Sequence, residues 1–94
     1  MFQKFNEDTI QRVWEKGLVV PGYDSSQYRK DACGAWIQRN MYGDRSRQDN
    51  YGWEIDHIKP ESDGGTDDLS NLRPLQWYNN ATKSDDRLTC PIKA

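Results

Sequence analysis

The feature that most constrains the fold is a strand pattern that runs into a proline and then a glycine-rich turn. Residues Tyr51 to Ile58 alternate between apolar and polar side chains, which is typical of a half-buried β-strand. Pro60 ends this pattern, and the turn that follows contains Gly64 and Gly65, which tolerate positive φ angles. The sequence therefore predicts a strand followed by a long surface turn.

A second strand and a helix follow this turn. Leu72 to Leu75 predicts a short strand, and Pro74 within it favours an edge or irregular position. Residues 77–85 predict a short helix. Two strands followed by a helix predict an α+β fold class; the family resemblance given below implies that the two strands form an antiparallel sheet.

The part of the chain before this unit predicts fewer regular elements. Apolar residues at helical spacing predict an N-terminal helix over about residues 6–16, which either Asn6 or Asp8 can cap. We expect residues 23–35 to be irregular and a short strand to lie around Trp36.

Size and composition predict one small domain over residues 1–94 with a thin core. The sequence has no membrane-length apolar run and no signal-peptide pattern, so we expect a cytoplasmic protein that does not associate with membranes. Cys33 and Cys90 lie far apart in sequence, and we expect reduced thiols, although a disulfide stays open. From Asp86 onward we expect a loosely ordered tail.

Charge is unevenly distributed along the chain. The net charge is −2, yet residues 27–47 hold five basic and only two acidic residues. A basic segment beside an acidic one suits an enzyme that binds phosphates, although mixed surface charge alone is the simpler interpretation. The candidate phosphate contacts in this segment are Arg29, Lys30, Arg39, Arg45 and Arg47.

The chain has one histidine, His57, which directly follows Asp56 at the end of the predicted strand. Asn71 ends the turn, and Asn80 lies in the predicted C-terminal helix. Hydrolysis of a phosphodiester needs a base near neutral pH, which an imidazole supplies, and stabilisation of negative charge, which a divalent cation supplies. Carboxylate and amide oxygens are suitable ligands for Mg²⁺ or Mn²⁺.

One geometric question stays open at this point, because neighbouring residues on a regular strand point to opposite faces. Asp56 and His57 can act on one phosphate if the strand end is irregular. Alternatively, the phosphate lies between a metal ion on one side and the attacking water on the other.

The stretch GWEIDHIKPESDGGTDDLSNLRPLQWYNNATKSD, residues 52–85, resembles the HNH endonuclease family. The matching pieces are the DH pair, the IKPxSxGG turn, the NLxPL strand and the NxxKSD helix, in that order. The resemblance implies a ββα-metal (His-Me finger) core over residues 51–86.

The resemblance implies a role for each matching residue. His57 is the general base, and Asn71 holds the loop, and thereby His57, through hydrogen bonds. Asp56 and Asn80 are the protein ligands of one divalent ion, Mg²⁺ or Mn²⁺, which makes the chain an HNN variant. Lys83 faces the substrate phosphate.

The chain departs from the pattern of relatives that bind a structural zinc through two CxxC pairs. Gln76 and Asn79 stand in place of the second pair, and the first is reduced to Cys33. We therefore expect no structural zinc. In its place we expect tryptophan side chains to fill the space, namely Trp36, Trp53 and Trp77.

The resemblance implies a metal-dependent DNA endonuclease that contacts mainly the phosphate backbone and nicks with weak sequence preference. One alternative is a catalytically inactive nucleic-acid-binding module that keeps the fold. Another is a toxin or a nuclease subunit whose activity depends on a partner protein.

Overall fold

A computed structural model describes residues 4–84 and 87–94. The first helix, α1, spans Glu7–Trp14, a little less than the predicted range. The side chain of Asn6 accepts a hydrogen bond from the Thr9 N–H at 2.8 Å, so Asn6 is the residue that caps the helix. No helix within the described ranges is both long and apolar enough to cross a membrane.

The first sheet consists of β1, Tyr28–Lys30, and β2, Trp36–Gln38, which pair antiparallel. The strand predicted around Trp36 is confirmed. The prediction that residues 23–35 are irregular is wrong where β1 forms. This three-residue strand has no apolar alternation of its own, and its extended conformation depends on pairing with β2.

The second sheet pairs β3, Trp53–His57, with β4, Leu72–Gln76, in antiparallel register. Helix α2, Trp77–Ala81, follows β4 directly. These three elements confirm the predicted α+β fold class and its two strands followed by a helix. The helix ends at Ala81, short of the predicted end, and Asp85 lies outside the described residues.

A single apolar core joins α1 to both sheets. Its two tryptophans, Trp14 and Trp53, pack with ring centroids 5.3 Å apart. Because side chains alternate along β3, the strand presents Trp53 and Ile55 to this core. On the other face, Glu54 contacts Asn80 on α2, and Asp56 contacts Lys83, which lies just beyond the end of this helix. The buried core residues are Ile10, Val13, Trp14, Ile37, Trp53, Ile55 and Leu72.

The end of the chain is tied to the domain. Cys33 and Cys90 form a disulfide. The Asn79 amide donates to the Ile92 carbonyl at 2.8 Å and accepts from the Ile92 N–H at 2.9 Å. The expectations of reduced thiols and of a loose tail are therefore wrong for the described part of this segment. Asp86 itself lies outside the described residues.

Asp31 contacts both residues that stand in place of the second cysteine pair. One carboxylate oxygen accepts from the Gln76 N–H at 2.9 Å and from the Asn79 amide at 3.1 Å. The prediction that tryptophans fill this place is wrong, because their rings are used elsewhere. Trp53 lies in the core, Trp36 packs against Tyr23, and the Trp77 indole donates to the Arg47 carbonyl.

Candidate active site

A cavity of about 560 Å³ lies at the end of β3. It brings together four of the predicted site residues, Asp56, His57, Asn80 and Lys83. Its other lining residues are Lys4, Phe5, Ile55, Pro60, Glu61 and Asp67.

The position of His57 answers the geometric question raised by the sequence. His57 is the last residue of β3, and the chain turns away directly after it. Asp56 and His57 both line the cavity even though they are neighbours on one strand. The cavity therefore opens around the strand end, where residues from both strand faces are within reach.

Asp56 is a buried carboxylate with two cationic partners. Its side chain is 4% exposed. Arg73, its cross-strand partner on β4, donates to Oδ2 at 2.8 Å, and the Lys83 ammonium donates to Oδ1 at 2.6 Å. Lys83 also donates to the His57 carbonyl at 2.8 Å. The positive charge of Lys83 therefore lies directly against Asp56 Oδ1, and both residues line the cavity.

Asn80 is oriented by a second buried carboxylate, Glu54. The Asn80 Nδ2 donates to Glu54 Oε1 at 2.9 Å. Because an ionised carboxylate only accepts hydrogen bonds, the amide nitrogen must face Glu54. The Oδ1 of Asn80 has no hydrogen bond within residues 4–84 and 87–94, and it is the atom left to act as a ligand.

The negative charge of Glu54 is compensated by Arg45. The guanidinium donates to both carboxylate oxygens of Glu54, at 2.6 and 2.8 Å. This pairing raises the pKa of Arg45. Burial and, after it, the Glu54 charge raise the pKa of Tyr42 to about 12, so this phenol stays neutral near pH 7.

Asn71 joins the two arms of the loop between β3 and β4. Its Oδ1 accepts from the Lys59 N–H at 2.8 Å, and its Nδ2 donates to the carbonyls of Lys59 and Thr66 at 3.1 and 2.8 Å. Gly65 permits the arms to meet, because a Cβ there would lie 1.8 Å from the Lys59 carbonyl oxygen. These contacts hold the loop immediately beyond His57.

The imidazole of His57 contacts an acid on the far arm of this loop. Its Nε2 lies 2.6 Å from Asp67 Oδ1. With Glu61, these residues form the cluster whose potential metal-binding atoms lie within 4.8 Å of one another. This cluster differs from the predicted ligand pair of Asp56 and Asn80, and both groups open onto the same cavity.

None of the five predicted phosphate contacts from the basic segment lines the cavity. Arg29 donates to three backbone carbonyls around the end of α1, and Arg39 donates to Gln11 on α1. Arg45 is paired with Glu54. Lys30 lies over the Trp36 ring, and Arg47 is largely exposed with Asp49 at 3.5 Å.

Several residues of the site were missed by the sequence analysis. Glu54 was recoverable, because it lies two residues before Asp56 and shares its strand face. Arg73 follows only from the register of β3 and β4, which the sequence does not specify. Asp67 lies in the loop between β3 and β4, and Lys4 lies in the segment before α1. Neither segment has a helix or strand pattern of apolar residues from which its position could be predicted.

The two strands, the helix and the cavity residues have the arrangement expected of an HNH-type domain. The family model described as HNH endonuclease matches residues 42–86, nearly half of the chain, and this segment contains every predicted catalytic and metal-binding residue. This match confirms the family resemblance for residues 42–86. Neither the search of curated proteins nor that of solved structures found a match.

Proposed function

We propose that this protein is a metal-dependent endonuclease that hydrolyses phosphodiester bonds in DNA. The observation that carries the proposal is the convergence of Asp56, His57, Asn80 and Lys83 on one cavity within the HNH segment. If these polar residues had only a structural role, we would expect their hydrogen-bonding atoms to be paired with one another or with the rest of the protein. Here an imidazole nitrogen and an amide oxygen are left without hydrogen bonds to any described residue.

Asp56 and Asn80 would hold the divalent ion. The test of fit is the donor chemistry: one buried carboxylate and one amide oxygen, both hard donors of the kind that Mg²⁺ and Mn²⁺ prefer. The Lys83 ammonium on Asp56 Oδ1 supports this proposal, because a cation already lies at this position. When bound, the ion would stabilise negative charge on the phosphate and on the leaving oxygen.

His57 would act as the general base. It takes a proton from water, the water oxygen forms a bond to phosphorus, and the bond from phosphorus to the 3′ oxygen breaks. The leaving oxygen then takes a proton from solvent. Asn71 holds the loop that follows His57, and Lys4 and Lys83 supply positive charge for the phosphate.

The finer features of the reaction belong to the same proposal. Phosphate contacts at the site come from lysines, which read no base sequence, so we propose weak sequence preference. One set of catalytic residues per chain favours nicking of one strand at a time. Of the basic segment, Lys30 and Arg47 are the members least engaged by the fold and the ones we propose to contact DNA outside the cavity.

Cytoplasmic localisation also stays a proposal. The Cys33–Cys90 disulfide counts against it, because disulfides are typical of oxidising compartments. Trapping free thiols in cells at the moment of lysis would decide whether the pair is reduced where the protein is made.

The test is cleavage of supercoiled plasmid with Mg²⁺, with Mn²⁺ and with EDTA. We expect nicked plasmid to form before linear plasmid, and both products to form only with a divalent ion. His57→Ala should form neither product. Asp63→Asn is the matched control, because Asp63 is an exposed loop acid outside the cavity. Binding of DNA without metal-dependent cleavage would instead support the inactive binding module.

A further inference from the structure

Among the residues that the structure describes, Asp67 is the one that forms a hydrogen bond with the ring of His57, the single histidine of the sequence. Its Oδ1 lies 2.6 Å from His57 Nε2. An ionised carboxylate has no proton to donate, so the imidazole must carry its hydrogen on Nε2. The contact therefore selects one of the two neutral tautomers of His57.

The loop is built to present this carboxylate. Thr66, immediately before Asp67, is held by the Asn71 amide at 2.8 Å. Asp68, immediately after it, accepts from the Thr66 hydroxyl at 2.9 Å. Both neighbours of Asp67 are thus fixed by hydrogen bonds, although the Asp67 side chain is itself 70% exposed.

The other imidazole nitrogen is left free. Within residues 4–84 and 87–94, no group hydrogen-bonds Nδ1 of His57, and the ring lines the cavity beside Asp56 and Asn80. A neutral imidazole with hydrogen on Nε2 has its lone pair on Nδ1, which is the atom that can accept a proton.

We propose that Asp67 is a positioning residue that fixes His57 in the Nε2–H tautomer and so makes Nδ1 the base. The proposal rests on the proposed function, in which His57 deprotonates water. During that step Nδ1 takes the proton of water and Nε2 keeps its own, so the imidazolium that forms stays hydrogen-bonded to Asp67. Glu61, across the loop, is not within hydrogen-bond contact of the ring in this arrangement.

The tautomer can be measured without any enzyme assay, because the chain has one histidine. Long-range ¹H–¹⁵N correlation spectra at roughly pH 8, where a free imidazole is neutral, report which nitrogen bears the hydrogen. We expect well-separated nitrogen shifts with hydrogen on Nε2 in the wild type. In Asp67→Ala the shifts should move toward each other, and in Asp63→Ala they should stay unchanged.

Plasmid cleavage gives the second readout. We expect Asp67→Ala to lower kcat about tenfold to a hundredfold with little change in KM, and Asp67→Glu to restore part of the loss. Hydrogen on Nδ1 in the wild type, or unchanged shifts and kcat in Asp67→Ala, would overturn the proposal. No cleavage by the wild type would overturn the proposed function, and the spectra would still decide whether Asp67 selects the tautomer.

Discussion

Two aspartates, Asp31 and Asp56, are almost fully buried, at 1% and 4% exposed, but they differ in the kind of group that each binds. Asp31 accepts from neutral groups: the N–H groups of Cys33, Ala35 and Gln76 and the Asn79 amide. Asp56 accepts from two cations and borders a cavity. The first carboxylate is saturated by the fold.

The difference shows what distinguishes a structural acid from a site for ligands. Backbone N–H groups cannot leave Asp31 without unfolding the surrounding turns, so its partners are permanent. The Lys83 side chain can rotate away from Asp56 and leave an oxygen for another cation. Burial alone does not separate the two cases, whereas the mobility of the partners and access from a cavity do.

The largest effect is expected from Asp56→Asn. Removing the carboxylate that we propose to bind the metal ion should lower metal-dependent plasmid cleavage about a thousandfold. Asp63→Asn, an exposed acid, is the control and should cleave like the wild type. Cleavage by Asp56→Asn within a few-fold of the wild type would remove Asp56 from the ligand set and with it the contrast to Asp31.

Removing the disulfide next to Asp31 should act on stability instead. The bond joins residues 57 positions apart, and a loop of that size contributes about 4 kcal/mol through the unfolded state. We expect the Cys33→Ser, Cys90→Ser double variant to lose stability of this order in urea unfolding. An unchanged urea midpoint would show that the disulfide, which links the C-terminal segment to Cys33 near Asp31, does not stabilise the fold.

Asp31→Asn should destabilise the fold by about 2–4 kcal/mol, because its NH₂ group would face buried donors that the carboxylate now satisfies. At temperatures where both proteins are folded, we expect little change in the rate of plasmid cleavage. A large loss of cleavage by a fully folded Asp31→Asn would show that the two aspartates are coupled through α2.

The surroundings of Asp31 and those of Asp56 were not equally predictable from the sequence. The alternation before His57 and the ordered HNH pieces were enough to predict β3, β4 and four of the cavity residues, which are Asp56, His57, Asn80 and Lys83. The Asp31 network was not predictable, because Asp31 meets Gln76 across 45 residues and no local period records such a contact. Arg73, the cross-strand partner of Asp56, depends on the register of β3 and β4, which the sequence pattern does not specify.

Glu54→Gln should weaken the orientation of Asn80 in the cavity. Glu54 orients the Asn80 amide, and residues that orient a metal ligand typically change metal affinity or activity tenfold to a hundredfold. We expect a loss in that range in Mn²⁺-dependent cleavage, partly recovered at higher Mn²⁺. The exposed Glu15→Gln is the matched control, and equal behaviour of the two variants would contradict the orienting role.

The smallest effect is expected from Asp44→Asn, because Asp44 is a partly exposed loop residue. Hydrogen bonds from Ser46 lower the pKa of Asp44 below its ordinary 3.8. A carboxylate with a lowered folded-state pKa stabilises the fold above its unfolded value and loses that contribution as the pH falls below it. The variant should therefore unfold slightly more easily than the wild type at pH 7, with the difference shrinking in acid, as urea midpoints would show.

The most direct test of the account is anomalous diffraction from crystals soaked in Mn²⁺. We expect one peak, bound by a carboxylate oxygen of Asp56 and the Oδ1 of Asn80, with Lys83 turned away and the His57 ring still on Asp67. A peak on His57, Glu61 and Asp67, with Asp56 still paired to Lys83 and Arg73, would contradict it, because the imidazole would then be a ligand and not a base.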